Sequence, residues 1–122
     1  MENNHPFAEL LGLKILTNSD GKSTSLIPFK KTLLNPNNVL HGGVVHSLAD
    51  TCMGAALASS LEENERCATI EIKVMYLKPA GSFDLTSKSK IIRKGKKVAW
   101  LESEVFSNDE LIAKATASFA IY

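Results

Sequence analysis

Residues Gly43 to Leu61 read Gly-Val-Val-His-Ser-Leu-Ala-Asp-Thr-Cys-Met-Gly-Ala-Ala-Leu-Ala-Ser-Ser-Leu, the one stretch of this 122-residue chain long enough for a major helix. Its side chains are small, and apolar ones point in most directions around the axis, as in a helix buried on several sides. At 100° per residue the least apolar stripe holds Gly43, His46, Ser47, Asp50 and Gly54. Small residues let another backbone come close, so a sheet is expected to wrap tightly around this helix.

The flanks supply that sheet. On the N-terminal side, Pro6 to Leu11 forms a short helix ended by Gly12. Leu13 to Thr17 and Ser23 to Phe29 are two short strands joined by a turn at Asn18-Ser19-Asp20-Gly21. Lys30 to Leu40, with Asn35-Pro36-Asn37-Asn38, reads as loop. On the C-terminal side, Ile70, Ile72, Val74 and Tyr76 alternate with Glu71, Lys73 and Met75 until Pro79-Ala80-Gly81. Strands follow at Phe83 to Ile92 and Val98 to Phe106, separated by Arg93-Lys94-Gly95-Lys96-Lys97. After the turn Ser107-Asn108-Asp109-Glu110, Leu111, Ala113, Ala115, Ala117, Phe119 and Ile121 give the clearest period of two in the chain. Short connections make neighbouring strands antiparallel. The expected fold class is α+β, as one domain over residues 1–122.

Bulk composition narrows the function. Apolar residues make up 44% and charged residues 22%, ordinary for a globular protein. With 14 basic against 13 acidic side chains the net charge is +1, which gives no global field to attract nucleic acid or an anionic membrane. Cys52 and Cys67 have no metal-ligand spacing and read as reduced thiols; no metal and no cofactor is expected. Met1 to His5 lacks the basic start and apolar run of a secretory signal, so the expected location is the cytoplasm.

The chemistry-bearing segment is Asn35-Pro-Asn-Asn-Val-Leu-His41-Gly42-Gly43, leading into the long helix. The first N–H groups of a helix lack internal partners and can hold an oxyanion, and two glycines leave room for a substrate to reach them. Asp50 lies nearly two turns on, along the same stripe. A stripe carboxylate can equally be a solvated one. Gly42 and Gly43 can serve only as loop and cap glycines, and His41 can be a structural residue that fixes the loop. His46, four residues before Asp50, is within reach of it. Strict alternation puts Thr69 on the face of Glu71 and Lys73, opposite the apolar set, unless the strand starts irregularly. Trp100 and Phe106 read as core or interface residues.

Taken together, HGG followed after six residues by Asp, then a strand ending Tyr76-Leu77-Lys78-Pro79-Ala80, resembles the phenylacetate-degradation type of hotdog-fold acyl-CoA thioesterase. The resemblance spans nearly the whole chain: the Leu-Gly start, the Asn-x5-HGG loop, the Leu-Ala-Asp-Thr helix and the basic glycine turn fall in order. It implies a hotdog fold, a long helix held in a curved antiparallel sheet, assembling as homodimers and then homotetramers with active sites between subunits. It implies that the Gly42 N–H polarises the thioester carbonyl, with Asn35, His41 and Gly43 shaping that corner. Asp50 of a neighbouring subunit would be nucleophile or general base, Thr69 would help place the water, and Ser47 would face substrate. The phosphates of coenzyme A would lie near Arg93, Lys94, Lys96 and Lys97. Leu57, Leu61, Tyr76 and Leu77 are candidates to line an acyl pocket. Two other readings stay open: a non-catalytic acyl-CoA-binding hotdog module, and a hotdog dehydratase or hydratase, which typically places a histidine in the helix region.

Overall fold

A computed structural model describes residues 5–122; the N-terminal reading of Met1 to Asn4 lies outside them. In chain order the elements are α1 (Pro6–Leu11), β1 (Lys14–Ser19), β2 (Lys22–Ile27), a 3₁₀ turn (Lys31–Leu33), α2 (Gly42–Ala58), β3 (Cys67–Tyr76), β4 (Leu85–Lys94), β5 (Val98–Ser107) and β6 (Glu110–Ile121). The six strands form one antiparallel sheet in the order β1-β2-β4-β5-β6-β3. It curls around α2, which contacts every strand. This is the hotdog architecture.

Both surfaces are small where they meet. Leu48, Ala49, Cys52, Met53, Ala56 and Leu57 of α2 are completely buried. The sheet offers them serines: Ser23 and Ser25 on β2, Ser87 and Ser89 on β4, Ser103 and Ser107 on β5, all buried. Most of these hydroxyls are satisfied. Ser103 Oγ lies 2.6 Å from Ser87 Oγ and accepts from Ser89 Oγ at 2.9 Å, and the Ser107 hydroxyl donates to the Ala80 carbonyl. Among the described residues the hydroxyls of Ser23 and Ser25 find no hydrogen-bond partner.

Several elements depart from the sequence reading, each for a local reason. The helix stops at Ala58 rather than Leu61. The Ser59 and Ser60 hydroxyls turn back onto the carbonyls of Ala56 and Leu57, and Lys94 Nζ donates to the Ser60 carbonyl at 2.7 Å. The first hairpin turn is tighter than four residues. Asp20 and Gly21 both have positive φ, the two-residue geometry that suits strand twist, so β1 continues to Ser19. The Lys30–Leu40 loop contains the 3₁₀ turn. Trp100 is 43% exposed on the outer face of the sheet rather than in the core, and Lys88 Nζ sits 5.5 Å above the half-buried Phe106 ring.

The serine layer gives a paired test. Ser25→Ala removes a buried hydroxyl with no partner and is expected to stabilise the fold by about 1 kcal/mol. Ser103→Ala strips partners from two other buried hydroxyls and is expected to cost about 1–3 kcal/mol. Urea unfolding of both variants checks the opposite signs.

Candidate active site

The loop before α2 is built to deliver Gly42. Asn35 Oδ1 accepts from the Asn37 N–H at 2.8 Å and the Val39 N–H at 3.3 Å, and the Asn35 N–H donates to the Val39 carbonyl at 2.8 Å. Asn38 takes the positive φ (63°) that closes the turn. The His41 N–H then bonds the Leu33 carbonyl at 2.9 Å. His41 is the N-cap of α2: its Nδ1 accepts from the Gly43 N–H at 2.7 Å and its carbonyl from the Val44 N–H at 2.9 Å. The neutral ring therefore carries its proton on Nε2. Neither bond uses the Gly42 N–H. A Cβ at Gly43 would stand 3.0 Å from His41 Nδ1, so this cap needs a glycine there.

Tyr76, at the far end of β3, closes this corner. Its hydroxyl donates to the Gly42 carbonyl at 2.7 Å, and burial pushes the phenol above its ordinary range. Gly42, Val45, Tyr76, Leu77 and Ile112 line a small groove here.

The other end of β3 holds the carboxylate. Thr69 Oγ1 donates to Asp50 Oδ1 at 2.7 Å. Simple alternation would turn Thr69 away from the helix. A bulge resolves this: the pairing of β3 with β6 shifts register between Thr69 (opposite Phe119) and Glu71 (opposite Ser118). Ile70 is the extra residue, left 57% exposed, and Thr69 swings onto α2. Ile72 and Val74, past the bulge, resume the inward face, half-buried. His46 is half-buried on α2, and among the described residues Asp50 makes its side-chain hydrogen bond with Thr69 rather than with His46. Cys67 stands beside the carboxylate; burial first, and then the negative charge of Asp50, raise its thiol pKa.

Asp50 opens into a groove of about 750 Å³ between the two free edges of the sheet. Ser47, Asp50, Gly54 and Ala58 of α2 lie along it, with Phe119 on one side and Phe7 of α1 over the top. The basic turn lies elsewhere. Arg93, Lys94, Lys96 and Lys97 are exposed at the β4–β5 connection, outside the lining of both grooves, and Lys94 is engaged on the end of α2. Gly42 and Asp50 are not brought together within one chain: eight residues of helix separate them, about 12 Å along the axis.

The family model described as thioesterase superfamily matches residues 37–114, from the loop that Asn35 opens into the first part of β6. The chain belongs to the thioesterase superfamily. It is a hotdog-fold thioester hydrolase, and its likeness to the phenylacetate-degradation type runs over the full fold. The medium/long-chain acyl-CoA thioesterase YigI of Escherichia coli K12 is 31% identical over 95% of this chain and 85% of its own length. Conserved protein PA5202 of Pseudomonas aeruginosa superposes with a TM-score of 0.93 at 29% identity, covering 98% of this chain and 95% of that one. A phenylacetic acid degradation-related protein of Ralstonia eutropha JMP134 superposes with a TM-score of 0.89 at 25% identity, covering 97% and 92%.

Sequence reading missed the hydroxyl of Tyr76 as a partner of Gly42, and Phe7 and Phe119 as groove walls. It also named Leu57 as a pocket residue, but Leu57 is fully buried in the core. No local signal separates these cases, since all are large side chains in amphipathic elements.

The cap separates two roles for His41. His41→Ala is expected to cost about 1 kcal/mol by leaving the Gly43 N–H without its cap, and His41→Asn to restore that stability. If the ring serves only as a cap, thioesterase activity returns with asparagine; if Nε2 takes part in the chemistry, thermal stability returns and activity does not.

Proposed function

We propose that this thioesterase hydrolyses acyl-CoA or aroyl-CoA to the free acid and coenzyme A as a homodimer, each active site taking Gly42 from one copy and Asp50 from the other. The observation that carries the reading is the distribution of the two groups along β3. Tyr76 holds Gly42 at one end of that strand and Thr69 holds Asp50 at the other. β3 is an edge of the sheet and carries the exposed side chains Ile70, Met75 and Tyr76. An edge of this kind calls for cover. Antiparallel pairing of β3 with its own copy about a two-fold axis would set the Gly42 end of one chain against the Asp50 end of the other. A tetrahedral carbon could then stand between donor and carboxylate, which one chain alone keeps about 12 Å apart along α2.

In this arrangement the Gly42 N–H faces the thioester oxygen as it gains charge, where one preorganised donor contributes about 3–4 kcal/mol. Asp50, held by Thr69 through Oδ1, keeps Oδ2 to activate a water or to attack the carbonyl directly. Asn35, His41 and Gly43 fix the position of Gly42, and Ser47 borders the substrate one turn before Asp50. Arg93, Lys96 and Lys97, with Lys94 at the helix end, offer positive charge to the phosphates of coenzyme A. We place the enzyme in the cytoplasm, as one hotdog domain over residues 1–122, with dimers pairing into tetramers. The YigI relative is named for medium- and long-chain acyl-CoA, which supports the acyl-CoA substrate class.

Thiol release from a panel of acyl-CoAs tests the assignment. Asp50→Asn is expected to lower kcat by about 100-fold or more with the fold and assembly intact. Binding of acyl-CoA without cleavage by the wild type would instead favour a ligand-binding module. A second experiment tests the shared site. Gly42 is the first residue of α2 and follows an extended residue (His41 φ −61°, ψ 138°), a position where proline is well accommodated. Gly42→Pro thus deletes the N–H and is expected to cost about 10²–10³-fold in kcat. Unfolding and refolding the two inactive variants together should recover about a quarter of wild-type activity, because half the dimers are mixed and each carries one complete site. No recovery would place both groups in one chain's site.

A further inference from the structure

We infer that the groove beyond Asp50 receives the acyl chain, and that Gly54 and Ala58 set the longest chain it accepts; this rests on the thioesterase reading above. The floor of the groove is one face of α2, where Asp50, Gly54 and Ala58 follow at intervals of four residues, a line that slants about 40° round the axis at each step. Past the carboxylate that line carries no side chain larger than a methyl group. The walls carry large apolar side chains, with His5, Glu9 and Asn18 as polar points in the lining. Phe119 lies against the Gly54 position, 3.6 Å from where a Cβ would be, and Phe7 and Ile15 line the groove while 50% and 42% exposed. A small floor under large apolar walls leaves a slot whose lining gains by covering a hydrocarbon.

The slot begins at the reacting group, which fixes both its occupant and its scale. An acyl carbon bonded to sulfur must sit within reach of Asp50, and the chain behind it has the line towards Ala58 to follow. Asp50 to Ala58 spans about 12 Å of helix, the extended length of a roughly ten-carbon acyl chain. Chain length should therefore raise kcat/KM by about three- to four-fold per methylene up to that point, and little beyond it. The 3.6 Å clearance at Gly54 is ordinary contact distance, so a side chain there can be carried by turning it into the groove.

Saturated acyl-CoAs of two to sixteen carbons would be assayed with wild type, Gly54→Ala, Gly54→Leu and Ala58→Phe, each checked for its thermal unfolding midpoint. Gly54→Leu, which fills the groove one turn from Asp50, is expected to lower the ratio of kcat/KM for decanoyl- over butyryl-CoA by at least about 30-fold. Ala58→Phe, two turns away, should move the optimum by fewer carbons. A loss equal at all lengths, or an unchanged length profile in folded variants, overturns the inference and leaves the catalytic assignment standing. Should the wild type cleave none of the panel, binding of non-hydrolysable S-alkyl-CoA thioethers of the same lengths decides it: a length-dependent affinity shortened by Gly54→Leu upholds the groove, and one indifferent to length or to the substitution ends it.

Discussion

A helix can occupy the inside of a curled sheet only if neither surface holds the other away. Here α2 presents alanine and cysteine, the strands beneath it present serine, and the larger side chains Leu48, Met53 and Leu57 fill the space that remains. That close approach has a polar cost, offset in part by the hydroxyl bonds among Ser87, Ser89 and Ser103. Everything at the site depends on it. With α2 seated deep, both ends of β3 can reach it: the Tyr76 hydroxyl meets the first turn and the Thr69 hydroxyl meets the third.

The same seating determines which face stays open. A six-stranded sheet curled around one helix leaves a gap between its edge strands β1 and β3, and the stripe of α2 in that gap carries Ser47, Asp50 and Gly54. The groove is therefore the seam of the fold rather than a feature added to it. Its polar group sits where Thr69 can hold it, and its small residues sit where large aromatic neighbours stand over them.

Much of this was legible in the chain. The residue sizes of Gly43–Leu61 reported a buried helix, the alternation from Leu111 to Ile121 reported its strand, and the polar stripe of the helix marked the side that faces the gap. His41 was recognisable as preceding a helix N-terminus, and its capping bond matches the structural role left open for it. Strand alternation failed at Thr69 because a bulge is a break in periodicity and cannot be found by looking for periodicity. The end of α2 was overrun because Leu61 continues the apolar pattern past the serines that terminate it. Tyr76 was read as part of an apolar face, since a one-dimensional pattern does not say that a phenol at a strand end will meet a glycine carbonyl 34 residues earlier. Contacts of this kind depend on how strand and helix cross.

The bulge at Ile70 also says something about how such a chain can lose its chemistry. Substitutions at positions 69 to 71 alter side chains, but the register against β6 is what aims the hydroxyl at the carboxylate. Ironing out the bulge with Ile70 retained would slip the start of β3 by one place and rotate Thr69 to the outer face, a pairing the sheet would accept readily. Loss of Ile70 together with the bulge would instead leave Thr69 opposite Phe119 on the inner face. A slip of one residue in pairing thus separates foldability from reactivity more cleanly than any exchange of residue type. Among descendants of this fold, the register of the first residues of β3 against β6 is a more telling mark of the working site than the identity of either neighbour.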